Sequence, residues 1–194
     1  MPRTKEQFKI IREETRSKIL NSALELFAKK GYSNTSISEI AKSANVSKGL
    51  AYNYFDSKEM LMEEVIKIIF LEIGEIFQSL EEINDPFEKL QKMIDLTFSI
   101  VQEKEHFWRL YSNVLLQHET KSLVEKVSGN FMELLFIDIE KIFRKAKVKN
   151  PKSEAKLLGA LLDGISFHVL FMSNYPIEKT KKFLKQKYSK ENLL

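Results

Sequence analysis

Lys48, Tyr52 and Asn53 stand within KGLAYNYF, and on a helix all three turn away from the side that carries Ala51 and Phe55. A cation, a phenol and an amide on one open face suit phosphate oxygens and the donors and acceptors of base edges. No other constellation offers covalent or metal chemistry. His106, His118 and His168 are far apart, without the His-x-x-x-His spacing of a metal pair. Gly159 and Gly164 lie in an apolar helical run that lacks the Lys-Ser/Thr of a phosphate loop, and no Gly-x-Ser-x-Gly elbow occurs. Glu81, Glu82 and Asp85 fall at a helix end, where solvation or capping accounts for them. With no cysteine in the chain, thiolate sites and disulfides are excluded. The residues therefore predict no enzyme, no cofactor and no metal.

The elements that must position Lys48 and Tyr52 are written in the string SISEIAKSANVSKGLAYNYFDSK, from Ser36 to Lys58. Ser36 and Glu39 form a capping-box pattern that opens a helix. Ile37, Ile40, Ala41 and Ala44 then share one face. Asn45 suits a left-handed helix end, and Ser47 caps a second helix only a few residues later. So short a connection forces a steep crossing, as in helix-turn-helix units. Gly49 near a helix start costs helix propensity, and close approach to a phosphate or base edge accounts for it. Ser57 caps the next helix, where Lys58 opposes the helix dipole and a phosphate contact explains it. The competing reading is an ordinary helical hairpin with a solvated polar face.

Charge distribution favours the first reading. The net charge is +4, but residues 1–58 hold eleven Lys/Arg against six Asp/Glu, whereas residues 59–194 are nearly balanced. The basic excess lies with the proposed DNA-binding end. A second basic run, Lys179 to Lys190, reads as the solvated face of a terminal helix. The polar N-terminus is neither a signal peptide nor a spanning segment, and no apolar run reaches the ~18 residues of a transmembrane helix. The expected setting is cytoplasmic, with no membrane partner.

The pattern along the 194 residues is all-α. A first helix over about residues 10–30 carries the stripe Ile19, Ala23, Leu26 and Phe27 and stops at Gly31. A long helix begins at Ser57 with the seam Leu61, Val65, Ile68, Ile69, Ile73 and Ile76. Asp85-Pro86 opens another helix. Further helices are predicted over about 86–103, 105–117, 120–147, 152–173 and 177–189, with Asn150-Pro151 and Tyr175-Pro176 as punctuation.

One family writes these motifs in this order. TRSKIL (15–20), ALELFAKKGY (23–32), TSISEIA (35–41), VSKG (46–49) and YNYFDSKEML (52–61) resemble the TetR family of bacterial transcriptional regulators over roughly residues 12–65. The resemblance implies a three-helix helix-turn-helix DNA-binding domain (1–58) and a helical ligand-binding and dimerisation bundle (59–194). It implies that Lys48, Gly49 and Tyr52 face the major groove of a double-stranded operator, with Ser47 among the DNA-binding residues. Asn53, Tyr54 and Lys58 would flank it near phosphates, with Thr35, Ser36 and Ser38 on the opposite edge. Many members have Thr and Leu between the recognition-helix Gly and Tyr; Leu50 and Ala51 depart from that, and a phosphate contact at Leu50 is in doubt.

Beyond residue 65 only length and helical character agree with the family. By resemblance a small-molecule effector binds in the bundle. The aromatic-rich segments give Phe98, Trp108, Tyr111, Phe167 and His168 as candidate lining, and an apolar or aromatic ligand as the expected class; core packing is the alternative for each. Ala155, Gly159, Ala160 and Gly164 are candidates for a homodimer interface, against close packing within one subunit. The expected function is a repressor that binds a palindromic operator as a dimer and is released by its ligand. An activator or a ligand-independent regulator of the same fold stays open, as does a helical interaction module that binds no specific DNA.

Overall fold

In the computed structural model, which describes residues 4–193, every regular element among the described residues is a helix. The chain forms two compact units, Met1–Ile69 with Leu110–Val127 and Phe70–Arg109 with Ser128–Leu194. The units do not divide after residue 58. The opening turns of the long fourth helix belong with the N-terminal helices, because Leu61, Met62, Val65, Ile66 and Ile69 are buried there.

The first unit holds α1 (Lys5–Lys30), α2 (Ile37–Ser43), α3 (Lys48–Tyr54), the start of α4 (Lys58–Ser79), the end of α6 (Glu105–Leu115) and α7 (Lys121–Ser128). The helix α1 begins five residues before the apolar pattern predicted. Its start is set by a capping box in which Thr4 and Gln7 exchange backbone and side-chain hydrogen bonds of 2.9 and 3.2 Å. It ends at Gly31, whose φ of +87° is costly for a residue with a Cβ. Ile19, Leu20, Ala23, Leu24 and Phe27 make its buried stripe. The Tyr111 hydroxyl, buried on α6, donates to the Val65 carbonyl of α4.

The second unit holds the rest of α4, α5 (Pro86–Glu103), the start of α6, α8 (Phe131–Lys145), α9 (Pro151–Phe171), α10 (Ile177–Lys187) and α11 (Lys190–Leu193). Its core joins Leu80, Leu90, Ile94, Phe98, Phe143, Leu158, Leu162, Leu184 and Tyr188. Asp85 caps α5 by accepting from the Glu88 N–H at 2.8 Å, with Pro86 at the first helical position. The single helix expected over 120–147 is two: Gly129, at φ +45°, separates α7 from α8. The basic run near the C-terminus is not wholly solvated. Asp95 accepts from Lys185 at 2.6 Å and pairs with Lys181 at 3.4 Å, while the Gln91 amide donates to the Lys185 and Tyr188 carbonyls, so α10 is tied to α5. Burial, with Glu154 alongside, pushes the Tyr188 hydroxyl above its ordinary range.

Gly159 is where α9 meets α8. A Cβ added there would lie 2.7 Å from Cε1 of Phe136, closer than packed atoms come. Gly159→Val should therefore destabilise the chain by about 2 kcal/mol. In urea unfolding, Phe136→Ala in the same chain should recover part of that loss, and strict additivity of the two substitutions would show that the contact is not what matters.

Candidate nucleic-acid interface

Two caps and one left-handed residue build the unit around α3. The Ser36 hydroxyl accepts from the Glu39 N–H at 3.2 Å, and Glu39 accepts in return from the Ser36 N–H at 2.9 Å. Lys30 reaches the same carboxylate at 2.8 Å. Ile37, Ile40 and Ala41 bury the inner face of α2. At its end Asn45 takes φ +55°, with the Val46 N–H donating to the Ala41 carbonyl at 2.9 Å and the Asn45 N–H to that of Lys42 at 3.2 Å. This is the paired closure that lets a helix stop within two residues. Ser47 then caps α3, accepting from the Leu50 N–H at 3.1 Å.

Only Ala51 of α3, together with Phe55 just beyond it, enters the core; each is 1% exposed. That anchor leaves Lys48, Gly49, Leu50, Tyr52 and Asn53 on the open side. The Lys48 ammonium lies 6.0 Å from the centre of the Tyr52 ring. A Cβ on Gly49 would meet nothing within 4 Å, so no contact inside the unit requires a glycine there. Beside the helix a shallow groove of about 560 Å³ runs between residues 33–37, Tyr52 and residues 56–58.

The candidate DNA contacts divide accordingly. Ser38, Lys48, Gly49, Tyr52 and Asn53 are exposed, the last four on the open side of α3. Ser36 and Ser47 are exposed too, but their hydroxyls serve as caps. Tyr54 is half-buried under the Arg12 guanidinium, 5.8 Å from its ring centre. Thr35 faces inward: it is 2% exposed, and its hydroxyl donates to the Gly31 carbonyl at 2.9 Å and the Leu26 carbonyl at 3.3 Å. Its hydroxyl is committed to the turn. Lys58 is half-buried and donates to the Tyr32 carbonyl at 2.9 Å, with its ammonium 4.4 Å from the Tyr32 ring centre. Those acceptors, more than a phosphate, offset its unfavourable place at the start of α4. Gln117 was not singled out in the sequence. Its amide accepts from the Tyr32 N–H at 2.8 Å and donates to the Phe27 carbonyl at 2.9 Å. No local pattern marks a partner 85 residues away.

The effector candidates fall in both units. Phe98 is core of the second unit, whereas Tyr111 is buried in the first. Trp108 is half-buried, in edge contact with Phe107. Phe167 and His168 are exposed on α9, stacked on Phe171 and Tyr175. None of the five lines either of two cavities in the second unit. One, of about 320 Å³, has Phe77, Leu80 and Ile142 beside Lys89, Lys141 and Lys145. The other, of about 410 Å³, lies at Arg109, Phe171 and Tyr175. These aromatics fill space or stack on a surface, as large apolar side chains in bundles usually do. Of the interface candidates, Ala155 is buried and Gly159 packs on Phe136, so both serve packing within the chain. Ala160 and Gly164 are exposed, next to the exposed apolar side chains of Leu157, Phe167 and Phe171.

Residues 19–65 match the family described as bacterial regulatory proteins, tetR family. Over 144 residues, covering 72% of this chain and 75% of the relative, the sequence is 29% identical to the Staphylococcus aureus biofilm operon icaADBC negative transcriptional regulator IcaR. The fold superposes on the transcriptional regulator FadR of Bacillus subtilis, solved with stearoyl-CoA, at a TM-score of 0.71 and 20% identity, covering 89% of this chain and 96% of that one. It also superposes on AibR, solved with isovaleryl coenzyme A and operator DNA, at a TM-score of 0.67 and 18% identity, covering 88% and 96%. No helix among the described residues is long and apolar enough to cross a membrane.

The capping box has a pH signature. The Lys30 hydrogen bond, followed by the Ser36 N–H and hydroxyl, lowers the Glu39 carboxyl from 4.5 to about 2. A carboxylate whose folded pKa is lowered stabilises the fold above its unfolded value, and that contribution fades as pH falls from 4.5 toward 2. Glu39→Ala should thus melt below the parent at pH 7, and the gap should close toward pH 2 in melts followed by circular dichroism. A gap that stays constant with pH would assign the loss to something other than the charged carboxylate.

Proposed function

We propose that this chain is a transcriptional regulator of the TetR family, acting as a homodimeric repressor whose two copies of α3 read the half-sites of a palindromic operator. The observation that carries this is α3 itself, anchored through Ala51 and Phe55 with Lys48, Tyr52 and Asn53 left open. A protein with one such helix per subunit reads two half-sites about 34–36 Å apart when it dimerises. The negative regulator IcaR among its relatives favours repression over activation.

The dimer contact proposed is the outer side of α9 with α10, where Leu157, Ala160, Gly164, Phe167 and Phe171 form a stripe and Phe183 is 69% exposed. Apolar area of that kind on a monomer marks an interaction surface. For the effector we propose an amphiphile with an apolar chain and an anionic head. Phe77, Leu80 and Ile142 supply the apolar wall of the 320 Å³ cavity, and Lys89, Lys141 and Lys145 the cations. The acyl-CoA ligands of FadR and AibR are of this class. Binding would release the operator by favouring a conformer whose recognition helices no longer match the half-sites. Helix α4 has residues in both units and is the element through which such a shift would pass.

Three measurements test the reading. In fluorescence anisotropy on the operator defined by footprinting of the chain's own upstream DNA, Lys48→Ala and Tyr52→Ala should each weaken specific binding by about 1–3 kcal/mol, with non-specific binding much less affected. Parent-like affinity in both variants would overturn the assignment of α3 as the reader. In sedimentation, Phe183→Asp should shift the chain to monomer and weaken operator binding with it; an unchanged dimer would move the interface elsewhere. Titration of the complex with long-chain acyl-CoA or fatty acid should free the DNA, and Lys89→Ala/Lys145→Ala should need more ligand. Release by neither compound would exclude this effector class.

A further inference from the structure

Helix α1 runs well past the body it belongs to. From Ile19 onward its inner stripe is apolar, through Ala23 to Phe27, but traced back toward the N-terminus the same stripe turns basic as Arg16, Arg12, Lys9 and Lys5. The intervals are four and three, so these side chains stay on one face for three turns. Arg16 still belongs to the body: it pairs with Glu64 and lies 5.5 Å from the Phe55 ring centre. Arg12 lies over Tyr54, at the end of the recognition helix. Lys9 and Lys5 continue one and two turns further, exposed, and their ammonium groups make no ion pair or hydrogen bond among the described residues. Glu6, Glu13 and Glu14 fall beside or opposite the stripe. The extension buries little, since Phe8 and Ile10 are themselves exposed, yet Thr4 and Gln7 cap it as a deliberate helix start.

We propose that this basic edge of α1 is a second DNA-contact surface, continuous with α3, that follows the phosphates of the duplex flanking each half-site. The proposal rests on α3 being the operator reader. Charge and placement both favour DNA as the occupant: the stripe is cationic, and it starts where the proposed reading face ends. Seven residues of helix between Arg12 and Lys5 span about 10 Å, the axial rise of about three base pairs of duplex. Such contacts add affinity and salt dependence without choosing sequence.

The test compares two duplexes, one ending at the edge of the palindrome and one extended by about six base pairs of arbitrary sequence on each side. The full-length parent should bind the longer duplex more tightly. Lys5→Ala/Lys9→Ala should lose that preference and flatten the log–log salt slope on the longer duplex by about two units per bound protomer, while its discrimination between operator and scrambled DNA stays parent-like. Lys5→Arg/Lys9→Arg should restore both. Equal binding of the two duplexes by the parent, or a double-alanine variant with the parent's slope, overturns the proposal and leaves the reading of α3 intact. A parent that binds neither duplex, with its melting transition intact, overturns that reading and this proposal together.

Discussion

The turn that follows α1 is the constraint on which the DNA-binding unit depends. Gly31 turns the chain out of helical geometry, and the residues around it carry backbone groups that no helix ladder satisfies. Three side chains, one local and two from distant parts of the sequence, supply the partners. Thr35 donates to the Gly31 and Leu26 carbonyls, Lys58 to the Tyr32 carbonyl, and Gln117 bridges the Phe27 carbonyl and the Tyr32 N–H. Each such bond contributes about 1 kcal/mol net, but leaving a half-buried backbone group without one costs up to about 3. The turn therefore holds its shape only while α2, the first turn of α4 and the segment after α6 are all in place. That makes it a joint and more than a linker. The base of α2, and through its short connection α3, takes its direction from residues that belong to α4 and to the segment after α6.

This joint also explains which parts of the interface were legible in the sequence. Caps are local and state their own partners three residues away, so Ser36 with Glu39, Ser47 with Leu50 and Asp85 with Glu88 could be read directly. The two anchors of α3 followed from spacing alone. Thr35 and Lys58 could not be sorted the same way. A buried hydroxyl bonded to carbonyls and an exposed one free for a phosphate look alike until the turn is built around them. Gln117 was invisible for a stronger reason, because a polar residue whose partners are 85 and 90 residues away leaves no periodic trace.

The second unit shows the complementary failure. Aromatic content chose the candidate lining of the ligand site, but Phe98 completes a core and Phe167 and His168 lie on an outer face. Apolar size predicts burial and says little about whether a void remains beside it. The 320 Å³ cavity is bordered by Lys89, Lys141 and Lys145, which carried no signal in the sequence, and by the helix end at Glu81, read there as solvated or capping. Similarly, four small residues on α9 suggested one interface, although helical geometry sends Ala155 and Gly159 inward and Ala160 and Gly164 outward.

The two informative glycines of this chain sharpen the same distinction. At Gly159 the molecule's own packing forbids a Cβ, since Phe136 occupies the space, and the residue is explained without any partner. At Gly49 the space is open, and a glycine in the first turn of a seven-residue helix costs roughly 1 kcal/mol against alanine. A helix that short is marginal by itself, held by the Ser47 cap and the burial of Ala51 and Phe55. A chain that accepts a further loss there, on the open side and next to Lys48, gains nothing from it in the free protein. The proposed reading supplies such a gain from outside, since a DNA strand lying along the start of α3 would approach the backbone there closely.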